Sequence, residues 1–309
     1  MGGSGGHYFR DDEDPGDLVR RLRDSEIQAK DDEYEANVNQ KLTEFLSDFN
    51  NRDVSGTREI LDNVRKELSD EIDGTVDFVY GGSVSRHTYL EGISDTDTLV
   101  ILKPDNIGHK SPEQLKYNFA QRLKDKFGDK NVKVGDLAVT VMVKGKEIQF
   151  LPAIRHGDGY KIAGPDGQSW SKINPQAFAN KLTDANQTQE GKLIPTIKIV
   201  KAIIATLPNQ QQLTGYHIES LAIEAFKGYT VQRVYKSMVE HFFERASELV
   251  RTPIVDHTGQ SVYVDEYIGA ANSTQRRLVS QALQRVYRKL QNADAAKDTK
   301  AWVEVVTGE

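Results

Sequence analysis

Two carboxylates one residue apart, Asp95 and Asp97, open the apolar run Leu99-Val100-Ile101-Leu102, and the turn sequence Gly81-Gly82-Ser83 precedes them. The apolar segment Val76–Tyr80 predicts a strand running into that turn, so backbone N–H groups around Gly82 and the Ser83 hydroxyl are placed to face phosphate oxygens. Residues two apart on a strand share a face, which brings the Asp95 and Asp97 charges together. Such a pair repels unless a cation lies between them. Mg²⁺, which prefers oxygen ligands and travels with substrate phosphates, fits that place. A Gly-Gly-Ser turn alone usually just reverses the chain, and a lone Asp-x-Asp is commonly a solvated loop edge. In this order within one short stretch they point to metal-assisted phosphoryl transfer.

The stretch resembles the DNA polymerase β-like nucleotidyltransferases. Leu137–Val143, followed by Glu147-Ile148-Gln149-Phe150-Leu151-Pro152-Ala153-Ile154, is similar to that superfamily's third catalytic strand and its Pro-Ala exit. Gly191–Lys201 and Leu213–Leu221 resemble two helices in the C-terminal half of the CD-NTases, bacterial relatives of cyclic GMP-AMP synthase. The resemblance spans residues 34–290 and extends to the clade encoded beside HORMA-domain regulators. It implies an α+β fold, with a mixed-sheet nucleotidyltransferase lobe, a C-terminal helical lobe and the active site in the cleft between them. It also implies synthesis of a cyclic di- or trinucleotide second messenger from ATP and other nucleoside triphosphates, with release of pyrophosphate. Two Mg²⁺ ions, for which Mn²⁺ can substitute, would serve it, in antiphage signalling of the CBASS type. A HORMA-type regulator is the implied protein partner. Two other readings stay open. One is nucleotidyl transfer to RNA, a protein hydroxyl or a small molecule; the other is a nucleotide-binding sensor without turnover.

The resemblance assigns residues by position. Asp95 and Asp97 are expected as catalytic metal ligands. Where the family usually carries a third Asp, this chain has Gln149, whose amide binds Mg²⁺ poorly and cannot take a proton. Glu147, two residues earlier and so on the same strand face, is the expected third ligand. Lys198 and Lys201, three apart on one helix, are expected to meet the triphosphate as point charges, with Lys201 at the position of the family's triphosphate lysine. Without the resemblance they would read as a solvated polar stripe. Tyr216 falls where relatives stack an aromatic on the base. Relatives often carry Ser just before it as a phosphate contact, a role Gly215 cannot fill. His87 and His217 lie inside these motifs but read as packed or hydrogen-bonded residues rather than bases.

The chain has 309 residues, a formal net charge of −6 and no cysteine. The length accommodates two lobes with their own cores. The missing cysteine removes disulfides, thiolate nucleophiles and zinc-thiolate sites, and suits a reducing cytoplasm. Acidic net charge argues against a nucleic-acid substrate gripped by its backbone. No run approaches the ~20 apolar residues of a membrane span, so a soluble cytoplasmic protein is expected.

Organisation follows from periodicity. Residues 1–33 read as a loosely ordered leader, 34–165 as the catalytic lobe, 166–292 as the helical lobe and 293–309 as a polar tail that frays or docks. Tyr34, Val38, Leu42, Leu46 and Phe49 form one helical stripe, and Ile60, Val64, Leu68 and Ile72 a second. Strands are predicted at Val76–Tyr80, Thr98–Leu102, Leu137–Val143 and Glu147–Leu151, with a helix from Pro112 to Phe127. The Gly/Pro cluster between His156 and Pro175 marks a loop between lobes. Helices are predicted over Pro175–Asp184, Pro195–Ala205, Leu213–Lys227, Val231–Val250 and Gln275–Asn292.

Overall fold

A computed structural model describes residues 15–51, 62, 75–80, 86, 88, 96–102, 110–135, 138–143, 145–164, 168–256, 258 and 264–309. The second stripe of the sequence reading, Ile60 to Ile72, lies outside the described residues, as does His87.

Seven strands form one mixed sheet. Its strands are β1 (Thr75–Tyr80), β2 (Thr96–Leu102), β3 (Val132–Val134), β4 (Val139–Val143), β5 (Lys146–His156), β6 (Gly159–Ala163) and β7 (Trp170–Ile173). The order β1-β2-β5-β4-β3 is antiparallel at every step but one, and β6 and β7 extend it from the far half of β5. The exception is β2 beside β5, a parallel pair that needs a crossover. Helix α1 spans Pro15–Asn51 and helix α2 spans Pro112–Phe127. α2 belongs to that crossover. Ser111 starts α2 with a capping box: its hydroxyl accepts from the Gln114 N–H at 3.2 Å and the Gln114 amide accepts from its N–H at 2.9 Å. Phe119, Ala120 and Leu123 of α2 then pack on Phe78, Val100, Ile148 and Phe150 of the sheet. β-Branched and aromatic residues are frequent along these strands, and those on the α2 side form the core beneath it.

Five further helices build the second lobe: α3 (Pro175–Thr188), α4 (Leu193–Ala205), α5 (Gly215–Ala225), α6 (Tyr235–Leu249) and α7 (Thr274–Ala296). A last helix, α8, spans Thr299–Thr307. α4 is apolar almost all round and forms the centre, with Leu193, Ile197, Ile199, Val200, Ile203 and Ile204 buried. That pattern marks a helix packed on every side.

The structure differs from the sequence reading in three places. Residues from Pro15 are helical rather than loose, because Arg, Leu, Gln, Lys and Glu favour helix even unburied and side chains such as Gln28 bond four residues on to Asp32. α1 gains packing only from Tyr34 onward. There Tyr34, Val38, Leu42 and Leu46 join the helical-lobe core, not the sheet. Second, the segment read as a Gly/Pro loop holds the β6–β7 hairpin. Gly157, at φ 60°, supplies the left-handed turn that brings β6 back against β5. Third, the tail is not frayed. α8 buries Trp302 and Val306 in the core, and the indole N–H donates to Asp294 at 2.7 Å. Among the described residues no helix is long and apolar enough to cross a membrane.

Candidate functional site

The β2–β5 parallel pairing sets the register of the site. It places Asp97 opposite Gln149 and Thr96 opposite Ile148, with Glu147 one residue before that pair. Ile148 and Phe150 are buried against α2, so Glu147 and Gln149 emerge on the other face of the sheet. Glu147 is exposed at the rim and Gln149 is half-buried. Asp95, Gly82 and Ser83 lie outside the described residues. Among the described residues no three acidic or histidine side chains gather around a point that could hold a metal. By residue type, Asp97, Gln149 and Glu147 offer only hard oxygen ligands, which is the set Mg²⁺ or Mn²⁺ takes.

The helical lobe contributes a cluster of a different kind. Lys201 is 3% exposed, so it is not part of the solvated polar stripe that its spacing from Lys198 would suggest without the resemblance. The apolar helix around it leaves its ammonium group only one direction, inward, toward α5. There its Nζ donates to Glu219 Oε1 at 2.8 Å, to Thr88 Oγ1 at 3.1 Å and to the Thr88 carbonyl at 3.2 Å. Glu219 is fully buried and also accepts from Arg86 Nε at 2.6 Å and from the Thr88 hydroxyl. Burial by itself pushes the Glu219 carboxyl up, but the charges of Lys201 and Arg86 and the bonds from Lys201 and Thr88 outweigh it. The carboxyl therefore sits below its ordinary range and is ionised. Lys198, half-buried one turn before Lys201, is held below the ordinary lysine range by burial and by the Lys201 charge.

Tyr216 and Phe178 form an aromatic pair with centroids 4.5 Å apart, tilted by 53°. The Arg86 guanidinium carbon lies 5.2 Å from the Phe178 centroid and 6.0 Å from that of Tyr216. The Tyr216 hydroxyl donates toward Asp256 at 3.4 Å, and burial together with Asp256 raises its pKa. Gly215 precedes Tyr216 for a steric reason. A Cβ at 215 would stand 3.3 Å from Lys201 Nζ, which its partners already hold in place. The serine that relatives often carry there would therefore press on the buried cluster.

His217 packs as expected. The Tyr267 hydroxyl, which accepts from the Thr214 N–H at 3.1 Å, contacts His217 Nδ1 at 2.9 Å, and Nε2 lies 3.4 Å from Asp265 in a contact too poorly aligned for a good hydrogen bond. Burial drives its pKa down to about 4 against the pull of Asp265, so the ring is neutral and anchors the start of α5. Asp265 is in turn held by Arg276, whose guanidinium donates to its carboxylate at 2.6 Å and to the carbonyls of Gly269 and Val250.

Sequence reasoning missed Arg86, Thr88 and Glu219. A glutamate with Ile218, Leu221 and Ala222 about it in a helix buried on most sides was the available signal, because so placed it must find cations.

A mixed sheet with one parallel pair, a crossover helix behind it and a helical lobe in front is the arrangement of the two-lobed polymerase β-like nucleotidyltransferase fold. Residues 37–186 match the family model described as Second Messenger Oligonucleotide or Dinucleotide Synthetase domain. That match covers a little under half of the chain, so residues 37–186 are what is similar to the second-messenger synthetases. No curated protein matches the sequence. Among solved structures, E. coli MS115-1 CdnC with ATP superposes with a TM-score of 0.62 at 16% identity, covering 86% of this chain and 93% of that one. The E. coli MS115-1 CdnC:HORMA-deltaN complex gives 0.61 at 15%, covering 85% and 91%. A variant of the Vibrio cholerae di-nucleotide cyclase DncV, in complex with ATP and GTP, gives 0.60 at 11%, covering 97% and 92%. At these identities the similarity carries the fold.

Proposed function

We propose that this chain joins nucleoside triphosphates into a cyclic di- or trinucleotide and releases pyrophosphate. The observation that supports it most is the β2–β5 register, which sets Asp97 beside Gln149 and close to Glu147 on the strand pair that follows the Gly-Gly-Ser sequence. Asp95, Asp97 and Glu147 would hold Mg²⁺, Gln149 at most lending an amide oxygen. Bound there, the metal would acidify the attacking 3′-hydroxyl and neutralise charge on the phosphates. Gly82 and Ser83 would cradle phosphate through backbone N–H groups and a hydroxyl. Lys198 would offer charge to the triphosphate. Lys201, whose charge is shared with Glu219, would act on the triphosphate from behind. Tyr216, braced by Phe178, would stack on a base, a contact that tolerates more than one base.

The domain match favours a second messenger over transfer to RNA, and the net charge of −6 agrees. The CdnC:HORMA-deltaN complex among the similar structures supports a HORMA-type regulator as partner. The resemblance to CBASS enzymes supports an antiphage role in a bacterial cytoplasm. Thin-layer separation of products from labelled ATP and GTP with Mg²⁺ tests the reading. A product that resists phosphatase is expected; label that appears only with an added acceptor, or no product at all, would overturn it.

A further inference from the structure

Resting on the nucleotidyl-transfer reading, we propose that Glu219 is a positioning residue that ties Arg86 and Thr88, which follow the Gly-Gly-Ser sequence, to the helical lobe. Arg86 and Thr88 follow Ser83 by three and five residues in the chain, and both reach across to this one carboxylate. Lys201 reaches it from α4, and Glu219 itself belongs to α5. Three segments that are far apart in sequence thus meet on one side chain.

Hydrogen bonds give the meeting its direction. An apolar contact between the lobes would let them slide, whereas a carboxylate that accepts from Arg86, Thr88 and Lys201 at once fixes distance and angle together. The same carboxylate governs the aromatic pair. Tyr216 lies one turn before Glu219 on α5, and Arg86, held at 2.6 Å by Glu219, lies over the rings of Phe178 and Tyr216. Lys198 shares a face of α4 with Lys201. A shift at Glu219 therefore moves Tyr216 and Lys198 relative to Arg86 and Thr88. The charge count points the same way. Arg86 and Lys201 outnumber Glu219, so the cluster carries one net positive charge, and neutralising Glu219 leaves two buried cations facing each other.

None of this requires Glu219 to touch substrate, and its full burial keeps it away from solvent. A role confined to stability would lower the folded fraction and leave each folded molecule as active as before. A positioning role separates the two effects, since misplacement of about 1 Å costs on the order of 10²-fold in turnover.

The test uses Glu219→Gln, which keeps the shape and removes the charge, and Thr88→Val, which removes one donor and leaves both cations paired. Amide hydrogen exchange followed by mass spectrometry on the whole chain reports on residues 81–97 directly. Exchange there is expected to rise about tenfold or more in Glu219→Gln, and less in Thr88→Val, with α7 unchanged in both. In the product assay, turnover per folded molecule is expected to fall by about 10²-fold in Glu219→Gln, with KM for ATP changing less than kcat. Unchanged exchange across 81–97 in both variants overturns the proposal whatever the activity. So does a wild-type kcat per folded molecule in Glu219→Gln. A wild type that makes no product refutes the functional reading alone, and the exchange experiment then decides the positioning claim by itself. Should Glu219→Gln fail to fold, Thr88→Val carries both readouts.

Discussion

Replacing Lys201 by Met removes a cation from a cluster in which every charge is buried, so its cost can be worked from the partners left behind. The variant loses bonds to Glu219 at 2.8 Å and to two oxygens of Thr88. Stripping a buried carboxylate of its sole partner costs about 3–5 kcal/mol. Glu219 is not stripped, because Arg86 remains at 2.6 Å and the Thr88 hydroxyl still donates. The Met side chain also refills most of the volume. An expected loss of about 2 kcal/mol follows, which lowers the melting temperature by roughly 4 °C in a chain of this size. Binding should change selectively. The net charge of the cluster drops from one positive charge to zero, so ATP should weaken by about tenfold while adenosine changes by less than about twofold. Lys198→Ala, at a half-buried position, should show the same preference for ATP with a smaller loss of stability. Calorimetric titration of both variants with each ligand in Mg²⁺, beside thermal melts, measures all of this. Equal losses for ATP and adenosine in Lys201→Met, or an unchanged melt, would refute the reasoning.

Other predictions concern the metal site, the pH response and the last helix. Glu147→Gln should lower turnover by orders of magnitude and Gln149→Ala by less, in steady-state assays with Mg²⁺; the reverse ranking would move the third ligand elsewhere. Burial and a hydrogen bond with Asp294 push the Glu240 carboxyl up to about 8. A carboxyl whose folded pKa is raised contributes stability below its unfolded value that is lost as pH rises through the folded one. Wild type should therefore melt lower at pH 8.5 than at pH 6, and Glu240→Gln should flatten that decline; an identical slope in the variant would show that Glu240 is not responsible. Trp302→Ala should cost about 3–5 kcal/mol, because it empties a fully buried site and frees the Asp294 carboxylate of a donor, as measured by denaturant unfolding. A loss under about 1 kcal/mol would mean that α8 does not hold the core.

Much of this molecule can be read from local sequence. The strand that ends at Tyr80, the strand that carries Asp97 and the capped helix from Pro112 are encoded by residues near one another, through strand-forming side chains and a capping box. The β6–β7 hairpin escaped because Gly157 and Gly164-Pro165 read as loop, although Tyr160, Ile162 and Trp170 carry strand-forming side chains. Trp302 escaped for another reason. Seventeen terminal residues with one apolar patch look like a frayed end until Asp294, eight residues earlier, is seen to accept from the indole. The site shows the same limit more sharply. Lys201 stood out in the sequence, but its direction did not, since only the fold shows that Glu219 and Thr88 meet it inside the protein. Charges that are far apart in sequence become partners through tertiary packing, and periodicity within one helix cannot report that.

The central claim, that the Asp-x-Asp strand catalyses closure of nucleotides into a ring, is tested most directly by the mass of the product. The purified chain would be incubated with ATP, GTP and Mg²⁺, and the product examined by mass spectrometry before and after phosphatase, beside the Asp95→Asn, Asp97→Asn double variant. The wild type is expected to yield a species with the mass of nucleoside monophosphates joined without any terminal phosphate, unchanged by phosphatase, and the folded double variant to yield none. A linear product that still carries a terminal triphosphate, or a double variant as active as the wild type, would contradict the account.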